Sequence, residues 1–89
     1  MVLSHLKTEL KQHFPTGLKF NMHDRFRATV HLDQITYPDA AKAQALIEKA
    51  CQAAKTVSGQ PGLGHAVEQI PAKKIGKRWI FSVIFSKQA

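Results

Sequence analysis

The sequence predicts an α+β fold in which two helices cover one face of a four-stranded, mostly antiparallel sheet. Three observations lead to this prediction. The chain has 89 residues, enough for one domain that spans 1–89. Two segments repeat apolar residues at the spacing of a helix, and the other segments alternate apolar and polar residues as strands do. The predicted order is helix, strand, strand, helix, strand, strand.

The first element is a helix near the start of the chain. Polar residues such as Lys7 and Lys11 lie opposite its apolar stripe, and the segment "PTG" at 15–17 ends the pattern. The stripe consists of Leu3, Leu6, Leu10 and Phe14.

The first hairpin follows this helix. Apolar residues alternate with polar ones from Leu18 to Leu32, with one interruption near Asp24. A three-residue turn at 23–25 would keep the apolar side chains of both strands on one face. The predicted pairs are Met22 with Phe26, Phe20 with Ala28, and Leu18 with Val30.

The second helix is predicted to run from the segment "TYPD" at 36–39 to about Lys55. Thr36 is the predicted N-cap, Pro38 falls in the first turn, and Asp39 completes a spacing like that of a capping box. The small residues of the apolar stripe would let the helix pack closely on a sheet. The stripe consists of Ala43, Leu46, Ile47, Ala50, Cys51 and Ala54.

The last two strands form a second predicted hairpin that turns through the segment "KKIGK". Its first strand, Val67 to Ala72, is expected at a sheet edge because Pro71 has no amide proton to donate. Its second strand, Arg78 to Ser86, is largely apolar on both faces and is expected between the second and third strands. The side chains expected beneath the helices are Trp79, Phe81 and Phe85. This topology resembles a circular permutation of the ferredoxin-like fold.

Composition limits the possible functions. The chain has 13 Lys and Arg against six Asp and Glu, a net charge of +7, and therefore favours acidic partners: DNA, RNA or an acidic protein. Its single cysteine rules out an intrachain disulfide and suits the cytoplasm. No apolar run is long enough to span a membrane. No motif indicates a cofactor, a metal site or a catalytic centre, so we expect a protein that is not an enzyme.

Basic residues cluster in two parts of the predicted sheet. One cluster lies in the turn of the second hairpin, which is anchored by the apolar strand after it. The other lies on the polar face of the first hairpin and in its turn. Such a surface can neutralise the phosphates of a nucleic-acid backbone and release their counterions. The predicted nucleic-acid-binding residues are Lys73, Lys74, Lys77, Arg78, Lys19, Arg25 and Arg27.

Two isoleucines of the last strand are expected on the sheet face that the helices leave uncovered. Apolar residues on such a face often mark a contact with another protein, so Ile80 and Ile84 are the predicted interface of a homodimer.

The segment "IPAKKIGKRWIFS" resembles the wing of excisionase-type and MerR-like DNA-binding domains. The resemblance implies a basic wing that contacts the DNA backbone after a recognition helix. It covers 13 of the 89 residues. The segment before it, "SGQPGLGHAVEQ", predicts a loop rather than a helix because it contains glycines and Pro61.

Three hypotheses follow from the sequence. The first is a nucleic-acid-binding protein that contacts the phosphate backbone. The second is an interaction or inhibitor protein, of the kind found in mobile elements, that docks on an acidic or nucleic-acid-binding partner. The third is a small toxin-like ribonuclease, in which His23 or His31 would act as a general acid or base beside Arg27 and Lys19.

Overall fold

The computed structural model describes residues 1–70 and 76–87. Two helices and four strands follow one another in the predicted order. Their bounds are α1 Val2–His13, β1 Leu18–Met22, β2 Arg27–Asp33, α2 Ala40–Val57, β3 Gly64–Gln69 and β4 Arg78–Ser86.

The strands form one antiparallel sheet in the order β1-β2-β4-β3. The predicted central position of β4 is therefore confirmed, as is the edge position of β3. In the described part of the chain, neither helix has the length and apolar character needed to cross a membrane.

Both helices cover the same face of the sheet, and the core lies between the two layers. From α1 it takes the predicted stripe and Val2, and from α2 it takes five of the six predicted residues; Leu46 packs against it while partly exposed. The strands contribute alternate residues, as their period of two requires. The strand residues of this core are Ala28, Val30, Leu32, Val67, Phe81, Val83 and Phe85.

Trp79 packs at the margin of this core and is partly buried. Its indole Nε1 donates a hydrogen bond of 2.8 Å to the main-chain carbonyl of Tyr37. The Tyr37 hydroxyl in turn donates to the carbonyl of Thr16, at 2.6 Å. These bonds tie the start of β4 to the segments that precede α2 and β1.

The predicted register of the first hairpin is wrong. Leu18 pairs with Leu32, Phe20 with Val30 and Met22 with Ala28, which leaves Phe26 in the turn. The cause is the Asp24 carboxylate, whose Oδ1 accepts hydrogen bonds from the main-chain N–H groups of Phe26 (2.8 Å) and Arg27 (2.9 Å). This Asx-type turn leaves five residues between the last pair instead of the predicted three, and Phe26 is exposed instead of facing the core.

The predicted start of the second helix is also wrong. The N-cap is Asp39, whose Oδ1 accepts a hydrogen bond of 3.1 Å from the N–H of Lys42. Thr36 instead donates its hydroxyl to Asp33 Oδ2, at 3.3 Å, within the turn that ends β2. Pro38 therefore precedes the helix. A carboxylate placed directly before the first helical residue supplies the acceptor that the free N–H groups need.

Strand β3 begins earlier than predicted, at Gly64, and Pro71 and Ala72 lie outside the described residues. The loop between α2 and β3 contains turns and no recognition helix, and β4 continues as a strand through Ser86. The described residues therefore do not follow the helix-then-wing order that the excisionase resemblance implies.

Candidate nucleic-acid interface

The sheet face opposite the helices, called the open face here, contains a polar cavity at one end. The cavity has a volume of about 370 Å³ and lies where β1 begins, β2 ends and β4 begins. Four of its lining residues can carry positive charge. We call this cluster the basic groove: Lys19, His31, Lys77 and Arg78.

Strand register brings these residues together. Lys19 of β1 pairs with His31 of β2, and Asp33 of β2 pairs with Arg78 of β4. Directly paired residues in an antiparallel sheet project from the same face, and the face alternates along each strand. Lys19, His31 and Arg78 therefore all project from the open face, although the sequence separates them by up to 59 positions (78 − 19).

Gln34 fixes the main chain that carries Lys77 and Arg78. Its N–H donates to the carbonyl of Lys77 at 2.9 Å, and its side-chain Nε2 donates to the carbonyl of Arg78 at 3.1 Å. The two cations are thus attached to a main chain held by hydrogen bonds from the residue that follows β2. Such a main chain loses less conformational entropy when a ligand binds.

Gly17 permits the close approach of β1 and β2 at the groove. Its φ is +71°, and a Cβ at this position would lie 3.1 Å from Asp33 Cβ. Its carbonyl accepts a hydrogen bond of 3.0 Å from the N–H of Asp33. A larger residue would be strained in this conformation and would push the two strands apart.

One carboxylate, that of Asp33, lines the groove together with these cations. Its Oδ1 accepts from the N–H of Ile35 (2.9 Å) and its Oδ2 from the hydroxyl of Thr36 (3.3 Å). Within residues 1–70 and 76–87, the one ion pair closer than 4.0 Å joins Arg27 to Asp24. Lys19, Lys77 and Arg78 therefore remain available to an external anion.

His31 is a neutral neighbour of these cations. Burial lowers its pKa from the ordinary value of 6.5, and the positive charges of Arg78, Lys19 and His23 lower it further. Its Nδ1 is buried and has no hydrogen-bond partner in the described part of the chain. Protonation would add a fourth charge to the groove, and a bound anion would favour that protonation.

The structure divides the predicted binding residues into two groups. Lys19, Lys77 and Arg78 line the basic groove. Arg25 and Arg27 lie at the opposite end of β2, in or next to the turn of the first hairpin. The Arg27 Nε donates to Asp24 Oδ2 at 2.6 Å. Lys73 and Lys74 lie outside the described residues.

The two isoleucines proposed as an interface differ in exposure. Ile84 is 42% exposed, but Ile80 is only 5% exposed. Ile80 pairs with His31 of β2. Its carbonyl accepts a hydrogen bond of 2.8 Å from the N–H of Ile70, the residue that follows β3. The expectation that Ile80 is exposed is therefore wrong, and of the two isoleucines it is Ile84 that offers apolar surface.

The histidines considered for catalysis have no carboxylate hydrogen bonded to them in the described part of the chain. His23 Nε2 is hydrogen bonded to the Thr29 hydroxyl, and His31 lies in the groove. Among residues 1–70 and 76–87, no three His, Cys, Asp or Glu side chains are arranged as metal ligands.

Sequence reasoning identified the cations but missed the residues that position them. Gln34 and Gly17 carry no charge, and their roles depend on contacts between distant segments. Gly17 gave a partial signal, since "PTG" was read as the end of a helix. Nothing in the sequence around Gln34 indicates its contact with Arg78, which lies 44 positions later.

Comparisons with protein-family models, with curated proteins and with solved structures each found no match to this chain.

Proposed function

We propose that this protein binds nucleic acid through the phosphate backbone, with Lys19, Lys77 and Arg78 as the central contacts. The observation that supports the proposal most strongly is their convergence on one cavity, where they outnumber the single carboxylate and form no ion pair with a described residue. Lysine and arginine are the usual donors to phosphate oxygens, and each neutralised phosphate releases condensed counterions.

The distribution of charge extends this surface beyond the groove. Arg25 and Arg27 lie at the other end of β2, whose seven residues span about 20 Å. The sequence places Lys73 and Lys74 shortly before Lys77. A backbone bound along the open face would therefore meet positive charge at both ends.

A salt titration tests the proposal. Fluorescently labelled DNA and RNA oligonucleotides are titrated with the protein between about 50 and 200 mM salt. Three phosphate contacts in the groove predict that log affinity falls with log salt at a slope of about 2 to 3, or more steeply if the arginines also bind. No binding to either nucleic acid, or an affinity that salt does not change, would contradict the proposal and favour an acidic protein as the partner.

A further inference from the structure

A second depression lies at the other end of the sheet, at its edge beside the turn of the first hairpin. It has a volume of about 510 Å³ and combines apolar with positively charged residues. Phe26 is 37% exposed and Ile84 is 42% exposed. The lining consists of Asp24, Arg25, Phe26, Arg27, Ile84 and Phe85.

The main chain of Phe26 is fixed on both sides. Its N–H donates to Asp24 Oδ1 at 2.8 Å, and its carbonyl accepts from the N–H of Phe85 in β4 at 2.8 Å. The aromatic ring is thus attached to a rigid turn while part of it faces solvent. Rigid, exposed aromatic residues bind other flat groups at a small cost in conformational entropy.

Resting on the proposed function, we infer that Phe26 and Ile84 contact unpaired bases, so that the open face binds single-stranded nucleic acid in preference to a duplex. In a duplex the base faces are stacked on one another, and the backbone offers little to an apolar side chain. In a single strand the bases can leave the stack and pack on an aromatic ring while cations hold the phosphates.

The residues between the two depressions fit this ligand. Two positions along the strands from the pair Lys19 and His31, three polar residues of neighbouring strands lie side by side on the open face. They are Asn21, Thr29 and Ser82, which carry amide and hydroxyl groups. These groups can hydrogen bond to base edges or to the sugar. A strand that crosses the face would therefore meet Phe26 and Ile84 at one end, polar groups in the middle and the basic groove at the other end.

The positive charge of the open face favours a nucleic acid over a second copy of the chain as the molecule that binds there. A symmetric dimer through the open face would bring two sets of the same cations together: Lys19, Arg25, Lys77 and Arg78 of each copy. Among the described residues, none of these four has a carboxylate within 4.0 Å. Like charges that face each other across an interface disfavour association, whereas a polyanion is attracted to the same surface.

Binding of four labelled oligonucleotides of about 12 nucleotides tests the inference: single-stranded DNA, single-stranded RNA and the matching duplexes. We expect at least one single strand to bind at least about fivefold more tightly than its duplex. Phe26→Ala should weaken single-strand binding by about five- to a hundredfold and leave duplex binding nearly unchanged. Phe26→Tyr, which keeps an aromatic ring, should retain most of the affinity.

Val57→Ala is the matched control, because Val57 is another exposed apolar residue, at the end of α2. It should bind as the wild type does. Equal affinity for single strands and duplexes, or an unchanged affinity in Phe26→Ala, would overturn this inference and leave the proposed function intact. Failure to bind any of the four would overturn both. A wild-type dimer that Ile84→Glu converts to a monomer would also overturn the inference, because a second copy would then cover the face.

Discussion

The side-chain amide of Gln34 donates a hydrogen bond of 3.1 Å to the main-chain carbonyl of Arg78, and the N–H of Gln34 donates to the carbonyl of Lys77 at 2.9 Å. A neutral residue at the end of β2 thus fixes the main chain of two cations at the start of β4. The orientation of the basic groove depends on this contact.

Gln34→Ala should therefore affect both stability and binding. Loss of the side-chain hydrogen bond should lower the free energy of unfolding by about 1 kcal/mol. Nucleic-acid affinity should fall severalfold because Arg78 is held less well, although no charge is removed. Chemical denaturation and oligonucleotide titration measure the two effects. Gln12→Ala, an exposed glutamine of α1, is the control, and a Gln34→Ala protein that binds and unfolds as this control does would show that the contact does not position Arg78.

Two histidines should make the fold sensitive to acid. Burial lowers the pKa values of His31 and His65 below 6.5; Arg78, Lys19 and His23 add to the effect at His31, and Lys55 adds to it at His65 while Glu48 opposes it. The unfolded chain then binds more protons than the folded chain just below pH 6.5. The free energy of unfolding should thus be fully retained above about pH 7 and decrease as the pH falls through 6.5 toward the lowered values.

Chemical denaturation at about pH 7.5 and 5.5 measures this loss. In a double variant, His31→Gln with His65→Gln, the difference between the two pH values should be smaller than in the wild type. A difference as large in the double variant as in the wild type would mean that other groups cause the acid sensitivity.

Nucleic-acid affinity should change with pH in the opposite direction. A phosphate in the groove favours the charged form of His31, so binding takes up a proton and affinity should rise as the pH falls from about 8 to about 6. His31→Asn should remove most of this rise. His5→Asn, on α1 beneath the other face of the sheet, should retain it. An affinity that rises equally in both variants would exclude His31 as the titrating group.

Cys51 should be unreactive in the folded protein. Its side chain is fully buried in the α2 stripe, and burial raises the pKa of its thiol to about 12. Only the thiolate reacts readily with disulfide or alkylating reagents. We expect no labelling over minutes at neutral pH, followed by complete labelling after denaturant is added. Rapid labelling without denaturant would show that α2 separates from the core.

Much of the fold could be predicted because its signals are local. The spacing of Leu3, Leu6 and Leu10 defines one helix, and the residues of β4 indicate a strand that is largely apolar on both faces. The central position of β4 is what the resemblance to a permuted ferredoxin-like topology implies, and the apolar residues on both faces of the strand agree with it. These patterns depend on residues within a single element, so sequence reasoning can detect them.

The errors concern places where side chains compete with these patterns. Alternation placed Phe26 on the core face, but the two hydrogen bonds accepted by Asp24 extend the turn and expose it. Thr36 has the composition of an N-cap, but its hydroxyl bonds to Asp33 instead. In both cases an aspartate bonds to groups two or three residues away, which a repeat of apolar residues does not reveal.

The basic groove could also be predicted only in part, and the reason differs from that for the fold. Charged residues are visible in a sequence, and Lys19, Lys77 and Arg78 are among the seven predicted binding residues. Their convergence depends on the pairing of three strands, and their positions depend on Gln34 and Gly17. Such non-local contacts leave no periodic signal in the chain.

The most direct measurement of the central claim compares two triple variants with equal charge. One variant changes Lys19, Lys77 and Arg78 to Ala and removes the basic groove. The other changes Lys7, Lys11 and Lys49 to Ala and removes three exposed charges from the helices. Net charge falls from +7 to +4 in both (7 − 3). Any difference in binding must therefore come from where the charges lie.

We predict that the slope of log affinity against log salt falls by about 2 to 3 in the groove variant and by much less in the helix variant. Circular dichroism and thermal unfolding should show that both variants remain folded, since all six side chains are exposed. Equal slopes in the two folded variants would contradict the claim, because the protein would then attract nucleic acid through its net charge rather than through the groove.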